Sequence, residues 1–244
     1  VRVLTLVPTG NANGRLVVIS HGLWDDPESF EGWGEFLASH GYTVLMPDHP
    51  GSDGAQQKAM LSGDRQPPGA EELRLRPLDV SALLDAVASG RLLPGRGLNT
   101  QSVAVVGHSW GGTTVLQLVG AVPTVRKLSS RCADLRDPER NISWILQCSW
   151  LNGIAQAGVA DSRVNAAVAV SPPMRLLFEP PSSNNLSAKV LLVSGTRDWV
   201  VPSGPEAITP MRESGASKQG HRLVLAEGMN HFSLRSFRAD DRPA

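Results

Sequence analysis

Apolar and polar positions along this chain fall into two alternating periods, and the alternation outlines an architecture. Arg15–Ser20, Tyr42–Met46, Ser102–Val106, Val164–Val170 and Lys189–Ser194 are short runs dominated by apolar residues. Runs of this length without a polar face predict strands covered on both sides, as in a parallel sheet. Val1–Val7 and His221–Ala226 predict further strands near the two ends, the first joined to its successor by the turn-rich TGNANG. Between the strands the period changes. Glu28–His40 reads as a helix closed by Gly41 as its C-cap. Glu71–Ser89 places Leu73, Val80, Leu83, Leu84 and Val87 at helical spacing, with Pro77 shifting its start or kinking it. Thr113–Leu118 reads as the first turns of another helix, whereas the polar, Gly- and Pro-containing Ser52–Ala70 predicts a long surface loop. Strand–helix alternation over 244 residues predicts one α/β domain, 1–244, with a mostly parallel central sheet flanked by helices. From Pro123 to about Asp161 the alternation breaks, and this stretch is expected to be a helical cap or lid insertion over one end of the sheet.

The most informative stretch is Gln101–Leu118, QSVAVVGHSWGGTTVLQL. A buried strand runs into Gly107-His108-Ser109-Trp110-Gly111-Gly112 and leaves as a helix. A serine on so tight a turn has strained backbone geometry and a hydroxyl pushed clear of the sheet edge, the seat of a nucleophile. Gly107 and Gly111 fit because a Cβ at either place would collide with the neighbouring strand or helix. The helix that follows points its first amides at the same spot, ready for developing negative charge. A glycine-rich turn with an idle serine is the bland alternative.

Parallel strands present their carboxyl ends on one rim, so partners for Ser109 are sought just past other strand ends. Asp198 follows Lys189–Ser194 in GTRDWVVP, and His231 follows His221–Ala226 in EGMNHF. The chain order Ser109, Asp198, His231 is that of a nucleophile, acid and base built on such a sheet. Leu16–Ile19 runs straight into Ser20-His21-Gly22-Leu23-Trp24, where the backbone amide of Leu23 is placed to receive an oxyanion. His21 reads as a hydrogen bonder that braces this loop, with a base role as the alternative. Asp48 and His49 are two ligand-type residues without a third at useful spacing, which favours a structural turn over a metal site.

Cys132 and Cys148 are the only cysteines. Their spacing suits a disulfide worth about 3 kcal/mol, or two buried free thiols; neither spacing nor count suggests zinc. A disulfide would lean towards a secreted or periplasmic compartment, free thiols towards the cytoplasm. Trp144 and Trp150 read as packing of the insertion rather than a ligand platform. Trp24, Trp110 and Trp199 fall beside the three candidate positions, so indole faces are expected against substrate, Trp24 and Trp199 above all, with packing at loop bases as the alternative.

Lys and Arg number 23, as do Asp and Glu, so the formal net charge is zero and gives no reason to expect nucleic acid as a partner. No apolar run approaches the length of a membrane span, and no signal peptide is read at Val1, which opens without an initiator Met. Oligomeric state has no signature in the sequence.

With these residues in view, the whole chain resembles an α/β-hydrolase. The nearer likeness is to the dienelactone-hydrolase-like group, together with platelet-activating-factor acetylhydrolases and cutinase-like polyester hydrolases. SHGLW at 20–24, LASHGYTVLMPDHPGSD at 37–53, GHSWGG at 107–112, GTRDWVVP at 195–202 and NHF at 230–232 carry it. The resemblance implies an oxyanion hole made by the amides of Leu23 and Trp110. Two departures stand out. Dienelactone hydrolases use a cysteine where this chain has Ser109. Acetylhydrolases take their acid after the preceding strand, where this chain has Ser171-Pro172-Pro173; that leaves Asp198, with Asp161 as a fallback.

The expected activity is hydrolysis of carboxylic esters through an acyl-enzyme on Ser109, small to medium, aromatic or polyester-type, without metal or organic cofactor. Activity is expected to rise with pH as His231 loses its proton. An acyltransferase, thioesterase or peptidase would use the same three side chains. A non-catalytic binding protein on this fold is the remaining alternative.

Overall fold

The computed structural model describes residues 1–151, 153, 158–179, 186–233 and 235. Seven strands form one sheet: β1 (Val3–Leu6), β2 (Arg15–Ser20), β3 (Thr43–Pro47), β4 (Asn99–His108), β5 (Val164–Val170), β6 (Lys189–Gly195) and β7 (Arg222–Ala226), in the order β1-β3-β2-β4-β5-β6-β7. Only β1 is antiparallel, pairing Val3 with Pro47 and Leu6 with Val44. The two strands expected on either side of TGNANG are both present, with β3 between them in the sheet. β2 is flanked on one side by β3 and on the other by β4, so the direction of winding reverses there.

Helices α1 (Glu31–Ser39), α2 (Gly54–Leu61), α3 (Glu72–Ala88), α4 (Trp110–Leu118), α5 (Arg126–Cys132), α6 (Ser143–Ser149) and α7 (Thr209–Ser214) complete the order. The main core gathers Leu16, Val18, Leu45, Val103 and Val105 of the sheet against Val80, Leu84 and Val87 of α3 and Val115 and Leu118 of α4. A smaller cluster of Val17, Ile19, Phe30, Val44 and Met46 fills the other face. Among the described residues, no helix is long and apolar enough to cross a membrane.

Three expectations need amendment. The helix at 28–40 begins as a 3₁₀ turn, Pro27–Phe30, and turns α-helical at Glu31. Pro77 neither starts nor ends α3; the helix runs through it. Within the expected loop at 52–70, α2 forms because Asp53 caps it, its carboxylate accepting from the Gln56 amide at 2.7 Å. Gly54-Ala55-Gln56-Gln57-Lys58 offers no apolar stripe, so the cap is what sequence periodicity could not register.

The insertion at 123–161, of which 152 and 154–157 lie outside the described residues, contributes α5 and α6. Cys132 at the end of α5 is bonded to Cys148 in α6, with Cα atoms 5.7 Å apart, so the disulfide alternative holds. Trp144 and Trp150 are fully buried, as packing of the insertion requires. Glu206, in the π-helical turn Gly204–Ile208, holds this unit down. Its Oε1 accepts from Asn141 Nδ2, Ser143 Oγ, Trp144 Nε1 and Gln147 Nε2 at 3.1, 2.8, 3.1 and 3.0 Å. Its Oε2 accepts the amides of Met174 and Arg175 at 2.9 and 2.8 Å.

Candidate active site

Ser109 sits between β4 and α4 with φ of 53°, a left-handed conformation that L-residues avoid. Close packing on both sides of the turn enforces it. A Cβ on Gly107 would strike the Gly111 carbonyl, and one on Gly111 would strike the carbonyl of Ser20. Register puts Ser20 opposite Gly107, so the loop leaving β2 and the turn leaving β4 are neighbours where the winding reverses.

Asp198 follows β6 and His231 follows β7, as the strand-end placement predicts. His231 Nδ1 donates to Asp198 Oδ2 at 2.9 Å, both side chains buried. The other carboxylate oxygen accepts the amides of Val200 and Val201 at 3.0 and 2.8 Å. Burial pushes the Asp198 carboxyl up, but the His231 hydrogen bond and charge, the Val201 amide and the Ser171 hydroxyl outweigh it, and the carboxyl is held below its ordinary value. With Nδ1 engaged, Nε2 of His231 is the ring nitrogen left for a proton-transfer partner.

Ser109 and His231 line one cleft of about 780 Å³, together with Gly22, Leu23, Trp24, Pro173, Val201 and Phe232, and with Ile142, Ile145 and Leu146 of the insertion. Residues of the insertion thus share this cleft with residues that follow β2, β4 and β7. Gln57 and Met60 of α2 also reach the cleft. Among the described residues, no backbone or side-chain acceptor takes the amides of Leu23 or Trp110.

His108 was not singled out by sequence, yet it supports the site. Its Nε2 donates to the His231 carbonyl at 2.8 Å, and the two rings lie 4.8 Å apart. A carbonyl only accepts, so the proton of this ring is on Nε2. Burial, chiefly, pulls its pKa down to about 3, so it stays neutral. Its position directly before Ser109 was the available signal.

The remaining candidates separate cleanly. His21 braces its own loop: Nδ1–H donates to the Gly22 carbonyl at 2.7 Å, and the His49 amide donates to Nε2 at 3.1 Å. His49 joins Ser20 Oγ and Asp79 Oδ2, each at 2.9 Å, and Asp48 pairs with Arg2 at 3.0 Å, as a structural turn requires. Among the described residues, no group of three or more His, Cys, Asp or Glu side chains is placed to hold a metal ion. Asp161 precedes β5, at the end of the sheet remote from Ser109, and is taken by Ser81 and Arg163, whose hydrogen bond pulls its carboxyl down to about 2. It is no acid for this site.

The tryptophans divide. Trp24 faces the cleft and donates Nε1 to Gln56 Oε1 at 2.8 Å. Trp110 points the other way, fully buried with its ring 4.8 Å from that of Trp150, so only its amide remains available. Trp199 is 60% exposed and outside the cleft lining, because the turn that lets Asp198 accept from Val200 and Val201 brings those two residues to the cleft instead. Of the two tryptophans expected against substrate, Trp24 lines this cleft and Trp199 does not.

A serine with positive φ and the imidazole of a buried His231–Asp198 pair thus line one cleft at the carboxyl ends of a parallel sheet. Residues 15–162 match the alpha/beta hydrolase fold family, and the chain belongs to it. A curated relative, acylamino-acid-releasing enzyme 2 of Oryza sativa subsp. japonica, is 27% identical over 190 residues, 74% of this chain but 22% of that protein. This chain thus spans about a fifth of that relative's length. Among solved structures, the propionate-bound esterase Est2 of Thermogutta terrifontis superposes with a TM-score of 0.56 at 19% identity, covering 98% of this chain and 82% of that one. Esterase PE8 superposes with a TM-score of 0.52 at 18% identity, covering 97% and 92%. At these identities the two structures share the fold with this chain.

Proposed function

We propose that the protein is a serine hydrolase of carboxylic esters working through an acyl-enzyme on Ser109. The observation that carries the reading is the buried His231–Asp198 pair opening onto the same cleft as the strained Ser109. Ser109 Oγ attacks the acyl carbonyl carbon while His231 Nε2 takes its proton. Asp198 stays ionised, fixes the ring with Nδ1 protonated, and stabilises the imidazolium. The amides of Leu23 and Trp110 receive the oxyanion; losing one such donor typically costs about 3 kcal/mol of barrier. Collapse breaks the ester C–O bond, and the leaving alkoxide takes the proton from His231. Water then repeats the attack on the acyl-enzyme, releasing the acid and restoring Ser109.

Cleft size and covering favour soluble esters of small to medium size over polymer surfaces. The insertion acts as one wall: Ile142, Ile145 and Leu146 line the cleft, and Trp24 offers the indole against which an acyl or alcohol group packs. The disulfide suits an oxidising compartment. The sequence likeness to an acylamino-acid-releasing enzyme supports a second reading, amide-bond cleavage that releases an acylated amino acid.

The test is a series of p-nitrophenyl esters from acetate to decanoate beside N-acetyl-alanyl p-nitroanilide. Hydrolysis of short and medium esters with little action on the anilide is expected. Preference for the anilide establishes the second reading, and activity on neither defeats both.

A further inference from the structure

Behind the two proposed oxyanion amides lies a charged side chain that the mechanism does not use. Arg76 projects from α3 and is fully buried. Its Nη1 donates to Ser52 Oγ at 2.8 Å, its Nη2 to the His21 carbonyl and, at 3.4 Å, to Ser20 Oγ, and its Nε to Thr114 Oγ1 at 3.3 Å. The guanidinium carbon stands 5.2 Å from the centre of the Trp110 ring.

These contacts are not scattered. Ser20 and His21 begin the loop that carries Leu23, and Ser52 belongs to the segment whose carbonyl takes the Trp24 amide at 2.8 Å. Trp110 and Thr114 form the first turn of α4, where Thr114 Oγ1 donates to the Trp110 carbonyl at 3.0 Å. One planar fork therefore touches both sides of the oxyanion site. In a trans peptide the C=O and the next N–H point opposite ways, so fixing a carbonyl fixes the amide beyond it. Arg76 fixes the His21–Gly22 peptide through its carbonyl. His21 Nδ1–H fixes the next one through the Gly22 carbonyl, and that second peptide carries the Leu23 amide.

Charge sharpens the point. A buried guanidinium usually meets a carboxylate in a forked pair. Here all four acceptors are neutral oxygens, and among the described residues Arg76 makes no ion pair; Glu72, Asp79, Asp25 and Asp53 act on it from farther off. Simple packing would be served by a long apolar side chain and needs no fork.

We propose that Arg76 is a positioning residue for the oxyanion hole. It locks the loop after β2 against the first turn of α4 so that the Leu23 and Trp110 amides converge, and it places a cation behind them. This inference rests on the ester-hydrolase reading above.

Arg76→Met and Arg76→Lys test it in the full chain. The readouts are kcat and KM for p-nitrophenyl butyrate, Ki for a trifluoromethyl ketone that adds to the serine as a tetrahedral oxyanion, and the thermal midpoint. Arg76→Met is expected to lower kcat about 10²–10³-fold, with KM changed less than about threefold, and to weaken the ketone by the same factor as kcat. Arg76→Lys keeps the charge without the fork and is expected to recover part of both. Should Arg76→Met not fold, Arg76→Lys alone decides, with a loss of at least about tenfold expected in ketone affinity. Folded variants that lose thermal stability but retain wild-type kcat and ketone affinity overturn the positioning role while the hydrolase reading stands. Wild-type protein that neither hydrolyses the ester nor binds the ketone overturns both.

Discussion

The carboxyl rim of the sheet and the insertion above it are held in opposite ways. On the rim, Ser109, Asp198 and His231 take their places from strand ends and close backbone approaches: Gly107 under Gly111, Gly111 under Ser20, Gly195 under Met229. Over the rim, α5 and α6 are held by side chains, through the Cys132–Cys148 bond and the six donors gathered on Glu206. The difference separates two properties. The proposed chemistry belongs to the part built on the sheet, and the shape of the cleft to a part anchored by the disulfide and by Glu206. Variants in the two regions should therefore move different observables.

The largest effect is expected at the rim. Asp198→Asn preserves the shape of the side chain but removes the charge that fixes the His231 ring, and kcat should fall about 10³–10⁴-fold with the fold retained. Ester kinetics beside circular dichroism measure it; a tenfold loss or less would mean that another group orients the imidazole.

Next comes the anchor of the insertion. Glu206→Ala leaves buried donors of Asn141, Ser143, Trp144 and Gln147 without their shared acceptor, and stability should drop by about 3 kcal/mol or more. The separation of regions predicts that kcat on p-nitrophenyl acetate changes far less than the preference among longer acyl chains. A parallel collapse of short-ester kcat in folded protein would erase the distinction.

Reduction of Cys132–Cys148, which closes a loop with a sequence separation of 16, should lower stability by about 3 kcal/mol on chain-entropy grounds. Urea midpoints with and without reductant give the number. Retention of short-ester turnover by the reduced protein would again assign chemistry to the sheet.

The smallest effect sharpens the rim itself. His108 is held neutral with a pKa of about 3, against about 6.5 for an unfolded histidine. Between those values the unfolded chain binds a proton that the folded one refuses, so stability is lost as pH falls below about 6.5. At pH 5 the loss due to His108 is about 2 kcal/mol. Glu72, raised by burial to about 7, and Asp79, raised by burial to about 6, act in the opposite sense over part of the same range, so the net curve hides the contribution. Comparing wild type with His108→Phe isolates it: the stability difference between pH 7 and pH 5 should become more favourable to the acid side by that amount in the variant.

How much was visible beforehand follows the same division. The strand runs, the strained serine turn, and Asp198 and His231 just past strand ends all lie in local sequence, because burial on both faces and tight turns constrain residue type. The α2 helix escaped because it rests on a cap at Asp53 and a tie from Trp24 to Gln56 rather than on an apolar stripe. The orientation of Trp199 was not legible, because adjacency to Asp198 in sequence does not set which way a side chain leaves a turn. Arg76 and Glu206 were invisible for a deeper reason. Each is an ordinary charged residue in a helical segment until the fold brings together acceptors or donors tens of residues away.

The proposed hydrolysis requires Ser109 to be an activated nucleophile at the meeting point of three loops. Intact-mass and peptide mass spectrometry after brief exposure to a fluorophosphonate test this most directly. The prediction is one adduct per chain, on Ser109, lost in Ser109→Ala and formed about 10³-fold more slowly in His231→Ala. Wild-type protein that remains unmodified, or that is modified at another residue while Ser109 stays free, would contradict it.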